Sequence, residues 1–205
     1  GLNSYENRVY QFGMEEGPSL VAKFYRPARW SDEQILEEHA FALELAGREI
    51  PVVAPLEIAG RTLHASAGFR FTVYPRRGGR QPELDDPKTL EWIGRFIGRI
   101  HAVGALRPFL ARPALDLETF GTEPRDYLLA RGFIPADLAA AWSSVAAQAL
   151  EGVRRCYERA GAVNSLRLHG DCHAGNVLWT DSAQAHGPHF VDFDDARTGP
   201  AVQDL

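Results

Sequence analysis

The chain changes character once. Up to Tyr74 its segments read as strands around a single helix, and from Pro87 onward they read mainly as helices. The stretch between, "YPRRGGRQPELDDP", is crowded with arginine, glycine and proline. A sheet-rich unit and a helical unit joined in this way point to an α+β fold of two lobes, with a cleft between them where ligands commonly bind. The expected division is a β-rich N-lobe at 1–76 and a mainly helical C-lobe at 77–205. The 205 residues suffice for a real core in such an arrangement.

Local signals fill in the elements. "NRVYQF" (Asn7–Phe12) and "LVAKFY" (Leu20–Tyr25) flank a turn at Glu15–Ser19, the pattern of a hairpin. Ser31 and Gln34 have capping-box spacing, and Ile35, Leu36, Ala40, Leu43 and Ala46 then recur at helical period until Gly47. Glu49–Pro55 is extended, and Arg61–His64 and Phe69–Tyr74 are further strand candidates. Past the linker, Pro87 suits a first helical turn, and Leu90, Ile93, Ile97 and Ile100 form one apolar stripe. Leu138, Trp142, Val145, Ala149 and Val153 form another, and His101 reads as a packed helical residue. Short strands return at Asn176–Trp179 and His189–Phe193, joined by a polar turn around Ser182–Pro188.

Composition narrows the function class by exclusion. The net charge of -5 gives no global attraction to nucleic acid or an anionic membrane. No apolar run approaches a membrane span, and the N-terminus lacks a signal-peptide pattern. The 2 cysteines, Cys156 and Cys172, are too few for a disulfide scaffold and suit a reducing cytoplasm.

The chemistry concentrates in "RLHGDCHAGNVLW" (Arg167–Trp179). A zinc site would use His169, Cys172 and His173, with His186 or His189, but Gly170 weakens a helix there and no glutamate stands in the zincin position. A Cys172 nucleophile lacks any other acyl-transfer signature in the chain, and a redox switch at Cys172 has no evident partner cysteine. A phosphotransfer site fits better. Asp171 and Asn176 have the spacing of a kinase catalytic loop, which lets one short loop turn the aspartate to an acceptor hydroxyl and the asparagine oxygen to a magnesium ion. Asp192 sits near the end of "HFVDF", where a carboxylate is the expected second magnesium ligand, Lys23 sits on a strand, and Glu38, or Glu37 beside it, is on the next helix to hold that lysine. His169 braces the loop, and "RRGGR" (Arg76–Arg80) reads as a solvated loop.

At these residues the chain resembles the aminoglycoside phosphotransferase and choline kinase superfamily, which is built like protein kinases. "HGDCHAGN" and "VDFDD" carry that resemblance. The whole chain looks like the bacterial stress response kinase A family, through "NSYENRVYQF", "VAKFYRPARW", "ILEEHAFALELA", "GGRQ" and "DDARTGPAVQDL". The resemblance implies a bilobal protein-kinase-like fold and a cytoplasmic, ATP-dependent serine/threonine protein kinase of the stress response. By position it makes Asp171 the catalytic base, with Asp192 also catalytic. Asn176 and Asp192 would hold magnesium, and Lys23, oriented by Glu38, would bind the phosphates. It further implies that the turn Ser4–Asn7 replaces a glycine-rich loop and that adenine meets backbone groups near Tyr74 and Pro75.

Three departures qualify this picture. No G-x-G-x-x-G loop exists, and the protein-kinase D-F-G becomes Asp192-Phe193-Asp194. The chain also stops at "VQDL", where the family continues with further helices, so the C-lobe is expected to be truncated and Asp204 to open a helix supporting the catalytic loop. Without those helices the Leu138–Val153 stripe would stand exposed. The expected acceptor is a protein serine or threonine, with no nucleic acid or membrane partner and a monomeric state. One alternative is a small-molecule kinase for an amino alcohol or aminoglycoside, with Asp194, Asp195 and Glu118 as candidates for holding a cationic acceptor. Another is a non-catalytic nucleotide-binding regulator, which the intact Lys23, Asp171, Asn176 and Asp192 disfavour.

Overall fold

The computed structural model describes residues 7–182 and 185–205. The first part is a four-stranded antiparallel sheet of order β1-β2-β4-β3, from β1 (Arg8–Phe12), β2 (Leu20–Phe24), β3 (His64–Ser66) and β4 (Phe69–Pro75). Helix α1 (Asp32–Gly47) lies between β2 and β3 in the chain. Its start follows the expected capping box: Ser31 Oγ accepts from Gln34 N–H, and Gln34 Oε1 accepts from Ser31 N–H. Helices α2 (Pro87–Gly104), α3 (Glu123–Ala130) and α4 (Ala139–Ala160) follow. Asp86 caps α2 through the N–H groups of Lys88 and Thr89, with Pro87 in the first turn. Two small antiparallel pairs complete the fold. The first joins β5 (Ser165–Leu168) to β8 (Arg197–Pro200), and the second joins β6 (Val177–Ser182) to β7 (Ala185–Phe190).

The architecture is bilobal and protein-kinase-like. Among the described residues a buried cluster joins Phe41 and Leu45 of α1 to Ile93, Ile97 and Ile100 of α2 and to Val177, Trp179 and Phe190 of the β6–β7 hairpin. This apolar burial fixes where α1 stands relative to the hairpin. No helix among the described residues is long and apolar enough to cross a membrane.

Several expectations are corrected. On α1 the stripe Leu36–Ala40–Leu43–Ala46 faces outward, and the buried face is Ile35, Glu38, His39, Phe41, Ala42 and Leu45. Two polar residues interrupt the apolar pattern of that face because their partners are supplied by other elements. The strand expected at Arg61–His64 begins only at His64, and Thr62 is buried with its hydroxyl 2.8 Å from His39 Nδ1. The turn expected at Ser182–Pro188 is largely strand, with Pro188 opposite Trp179. Proline is tolerated there because Trp179 directs its N–H and C=O to Arg80 instead, at 2.7 and 2.9 Å. Strand β7 ends at Phe190, so Asp192 lies beyond it in a turn. Leu90 of the first helical stripe is exposed, whereas the exposure of Leu138, Val145 and Val153 is what the second stripe was expected to show.

Candidate active site

Lys23 reaches the site from β2. Its register opposite Val9 and Thr72 sends the side chain inward, where only 7% of it meets solvent. The ammonium lies 2.9 Å from Asp194 Oδ1, 3.1 Å from Asp192 Oδ1 and 3.9 Å from Glu38 Oε1. Burial alone would discharge it, but Glu38, Asp192 and Asp194 outweigh that effect and hold its pKa well above the ordinary value. Burial in turn raises the Glu38 carboxyl against the pull of Lys23 and Arg112. Glu37 points elsewhere: its carboxylate accepts the backbone N–H groups of Leu110, Ala111 and Arg112 at 2.6, 2.8 and 2.9 Å. Glu38, therefore, is the residue facing Lys23.

Beneath α1 runs a second polar chain. His39 Nε2 meets Tyr25 Oη at 2.8 Å and Thr72 Oγ1 at 3.2 Å, and the Tyr25 ring lies 5.2 Å from Lys23 Nζ. Burial, reinforced by Lys23 and Arg112, lowers the His39 pKa to about 3, so the ring is neutral.

The loop after β5 is built for rigidity. His169 is fully buried, its Nε2 donating to Val191 O at 2.9 Å and its ring 4.4 Å from that of Phe193. Burial keeps the imidazole neutral, so Nδ1 is free to accept the Asp171 N–H. Gly170 adopts a positive φ of 86°, and a Cβ there would collide with the carbonyl oxygen of Asp195. Asp171 emerges beyond this anchor with its side chain 51% exposed. Asn176 Nδ2 donates to its backbone oxygen at 2.9 Å and to its Oδ2 at 3.1 Å, which leaves Asn176 Oδ1 available to a cation. Asp204 closes a short 3₁₀ turn (Ala201–Asp204), and its buried carboxylate accepts the N–H groups of His169 and Gly170.

Asp192 follows β7 in the left-handed region, at φ 62° and ψ 67°, with half its side chain exposed. Aspartate tolerates this conformation better than most residues. A cleft of about 400 Å³ is lined by Lys23, Glu38, Asn176 and Asp192, with Tyr74 and Pro75 on its wall. Val9, Gln11, Arg76 and Arg77 also border it. The structure thus brings Lys23, Glu38, Asn176, Asp192, Tyr74 and Pro75 to one cavity, with Asp171 hydrogen-bonded to Asn176. Asn7 is not among the lining residues. It is buried, accepting the Arg26 N–H at 3.1 Å and hydrogen-bonding Asp194. Ser4 lies outside the described residues.

Two of the three acidic residues considered for a cationic acceptor are engaged elsewhere. Asp194 is buried against Lys23, and Asp195 pairs with Arg29 at 3.0 Å and Arg197 at 2.7 Å. Glu118 opens a π-helical turn (Glu118–Thr122) and is exposed. Among the described residues no group of three or more histidine, cysteine, aspartate or glutamate side chains is arranged to hold a metal by itself, which removes the zinc reading. Burial pushes the Cys172 thiol up to about 12, the opposite of an activated nucleophile. Sequence reading overlooked Arg112 and the pairing of Asp194. In the sequence Asp194 stands out as a departure from glycine and as a candidate for a cationic acceptor, not as a partner of Lys23, and nothing local marks Arg112.

The phosphotransferase enzyme family model matches residues 1–205. Stress response kinase A of Salmonella choleraesuis (strain SC-B67) is 50% identical over 204 residues, and that of Escherichia coli (strain K12) 49%. The Salmonella typhimurium (strain LT2) relative, 50% identical, is named serine/threonine protein kinase RdoA. The chain spans 60% of the length of these curated relatives. Among solved structures, amicoumacin kinase hAmiN in complex with AMP-PNP, Ca2+ and Ami superposes with a TM-score of 0.75 at 23% identity, over 99% of this chain and 60% of that one. A microcompartment-associated aminopropanol kinase gives 0.74 at 20% identity, over 99% of this chain and 66% of that one. With the family match running the length of the chain, and the fold and charged cleft already in place, the chain belongs to the phosphotransferase enzyme family, within the aminoglycoside phosphotransferase-like superfamily.

Proposed function

We propose that this chain carries the nucleotide and magnesium site of an ATP-dependent kinase that phosphorylates serine and threonine of proteins in the cytoplasmic stress response. One observation carries the reading: Lys23, Asn176 and Asp192 line a single cleft, and Asp171 is tied to Asn176 beside it. Tyr74 and Pro75 supply the adenine side, and Lys23, held by Glu38, contacts the phosphates. The donor set suits magnesium, which is commonly held by one or two carboxylates together with phosphate oxygens and water. Asp192 and Asn176 Oδ1 would hold it. When bound, the ion neutralises charge on the phosphates. Asp171 accepts the proton of the acceptor hydroxyl as its oxygen bonds to phosphorus and the bond to the ADP oxygen breaks. Ser4 and Asn7 stay assigned to the phosphate-covering turn by resemblance alone.

The protein acceptor is supported by the name of the Salmonella typhimurium relative, and by the inward ion pairs of Asp194 and Asp195, which leave those carboxylates unavailable to a small cation. A second reading, a small-molecule kinase, draws on the aminopropanol and amicoumacin kinases that share the fold. Phosphoamino-acid analysis with a basic test protein, run beside a coupled ADP-release assay over choline, aminopropanol and aminoglycosides, separates the two. Phosphoserine and phosphothreonine without saturation by any small alcohol are expected. ADP release with one small alcohol and none with protein overturns the protein acceptor while leaving the phosphotransfer site standing.

A further inference from the structure

Glu38 stands closer to Arg112 than to Lys23. Arg112 Nη2 lies 3.1 Å from Glu38 Oε2, against 3.9 Å between Lys23 Nζ and Glu38 Oε1. The Arg112 side chain is wholly buried and its donors are directed to four acceptors. Nε donates to Gln34 O at 2.9 Å, and Nη1 donates to Asp194 O at 2.8 Å and Ala196 O at 2.7 Å. Its guanidinium lies 4.5 Å from the Trp30 ring. One planar fork therefore bonds α1 at two points and the turn after Asp192 at two more, a geometry a lysine cannot reproduce.

The clamp is reciprocal. Glu37 of α1 receives the Arg112 N–H at 2.9 Å, and Gln34 Nε2 donates to Ala111 O at 3.0 Å. Segment 110–112 and the first turns of α1 thus hold each other through both backbone and side chains. Lys23 has two nearer carboxylates in Asp192 and Asp194. A free Glu38 would have no reason to stay beside it.

We propose that Arg112 is a positioning residue, which fixes α1 to the 194–196 turn and keeps Glu38 at Lys23 whether or not nucleotide is bound. This deepens the phosphotransfer reading and rests on it. It implies that α1 needs no activating event to bring its glutamate into place.

The test is a double-mutant cycle of Arg112→Met and Glu38→Gln, with Arg112→Lys as the charge-keeping control. The KM for magnesium-ATP is expected to rise about tenfold or more in Arg112→Met, the size of one lost charge-assisted hydrogen bond. The KM for the protein acceptor should stay unchanged, Arg112→Lys should recover part of the effect, and the double variant should be no worse than Glu38→Gln alone. A folded Arg112→Met with wild-type KM, or additive effects in the cycle, overturns the proposal. Hydrogen exchange on the wild-type protein decides the matter if the variants do not fold. Amides of Ile35–Ala42 should be equally protected with and without AMP-PNP and magnesium, and protection that appears only with nucleotide overturns the clamp. Wild-type protein that binds no magnesium-ATP defeats the phosphotransfer reading instead, and the exchange measurement still tests the clamp.

Discussion

Asp204 accepts the backbone N–H of His169 at 2.9 Å across 35 residues of chain, and its other oxygen takes the N–H of Gly170 at 2.8 Å. His101 Nε2 meets the same carboxylate at 3.0 Å. The loop that presents Asp171 is therefore held by a buried anion outside the cleft. Burial would raise the Asp204 carboxyl, but the hydrogen bonds from His101, Gly170 and His169 prevail and hold it below the usual range. A carboxyl depressed on folding stabilises fully above its unfolded value, and that stabilisation is lost as the pH falls toward the folded one. Asp204→Asn should cost about 1–3 kcal/mol, the range for leaving buried donors poorly satisfied. It should also flatten the acid side of the stability profile, as thermal melts of both proteins between pH 7 and pH 3 would show.

Asp171→Asn should leave the fold and magnesium-ATP binding intact while lowering turnover by ~10² or more, the usual size of a general-base contribution. The substitution keeps an acceptor for Asn176 Nδ2 through its amide oxygen and removes only the capacity to take a proton. Steady-state turnover beside nucleotide titration checks it, and undiminished turnover would remove Asp171 from the base role.

Asp192→Ala should weaken nucleotide binding more with magnesium present than without it, and more than Asp171→Asn does. The carboxylate is directed toward the cleft and only half covered, whereas Asp171 does not line it. Titrations of ATP against both variants with and without the metal decide it. Equal losses in the two would reassign the ion. Alanine also adds backbone strain at φ 62°, so Asp192→Asn, which tolerates that region, serves as the control for folding.

His39 gives a second pH signature. Its pKa falls from 6.5 unfolded to about 3 folded, with burial the main cause. Between those values the unfolded chain binds a proton the folded one refuses, so this contribution is complete above about pH 6.5 and disappears as the pH falls toward 3. His39→Gln, which can still donate to one hydroxyl and accept from another, should be less stable at pH 7.5 yet lose less stability on acidification. Chemical denaturation at pH 7.5 and pH 5 measures both.

The sequence by itself determined the elements with strong local rules and marked candidate site residues whose spacing is local. The capping box at Ser31 and Gln34, Pro87 at the start of α2 and the Ile93–Ile97–Ile100 stripe depend on neighbours a few positions away. The spacing from Asp171 to Asn176 is likewise local, because one loop must turn both side chains to the same place. Periodicity misjudged the inner face of α1, since Glu38 and His39 are buried only because Arg112, Lys23, Tyr25, Thr62 and Thr72 arrive from other segments to satisfy them. The choice between Glu37 and Glu38 was undecidable from adjacent identical residues. Tertiary structure decided it, by setting three backbone N–H groups against one carboxylate and two cations against the other. Asp194 and Arg112 were illegible for the same reason: a buried charge is defined by its partners, and those partners lie in distant segments of the chain.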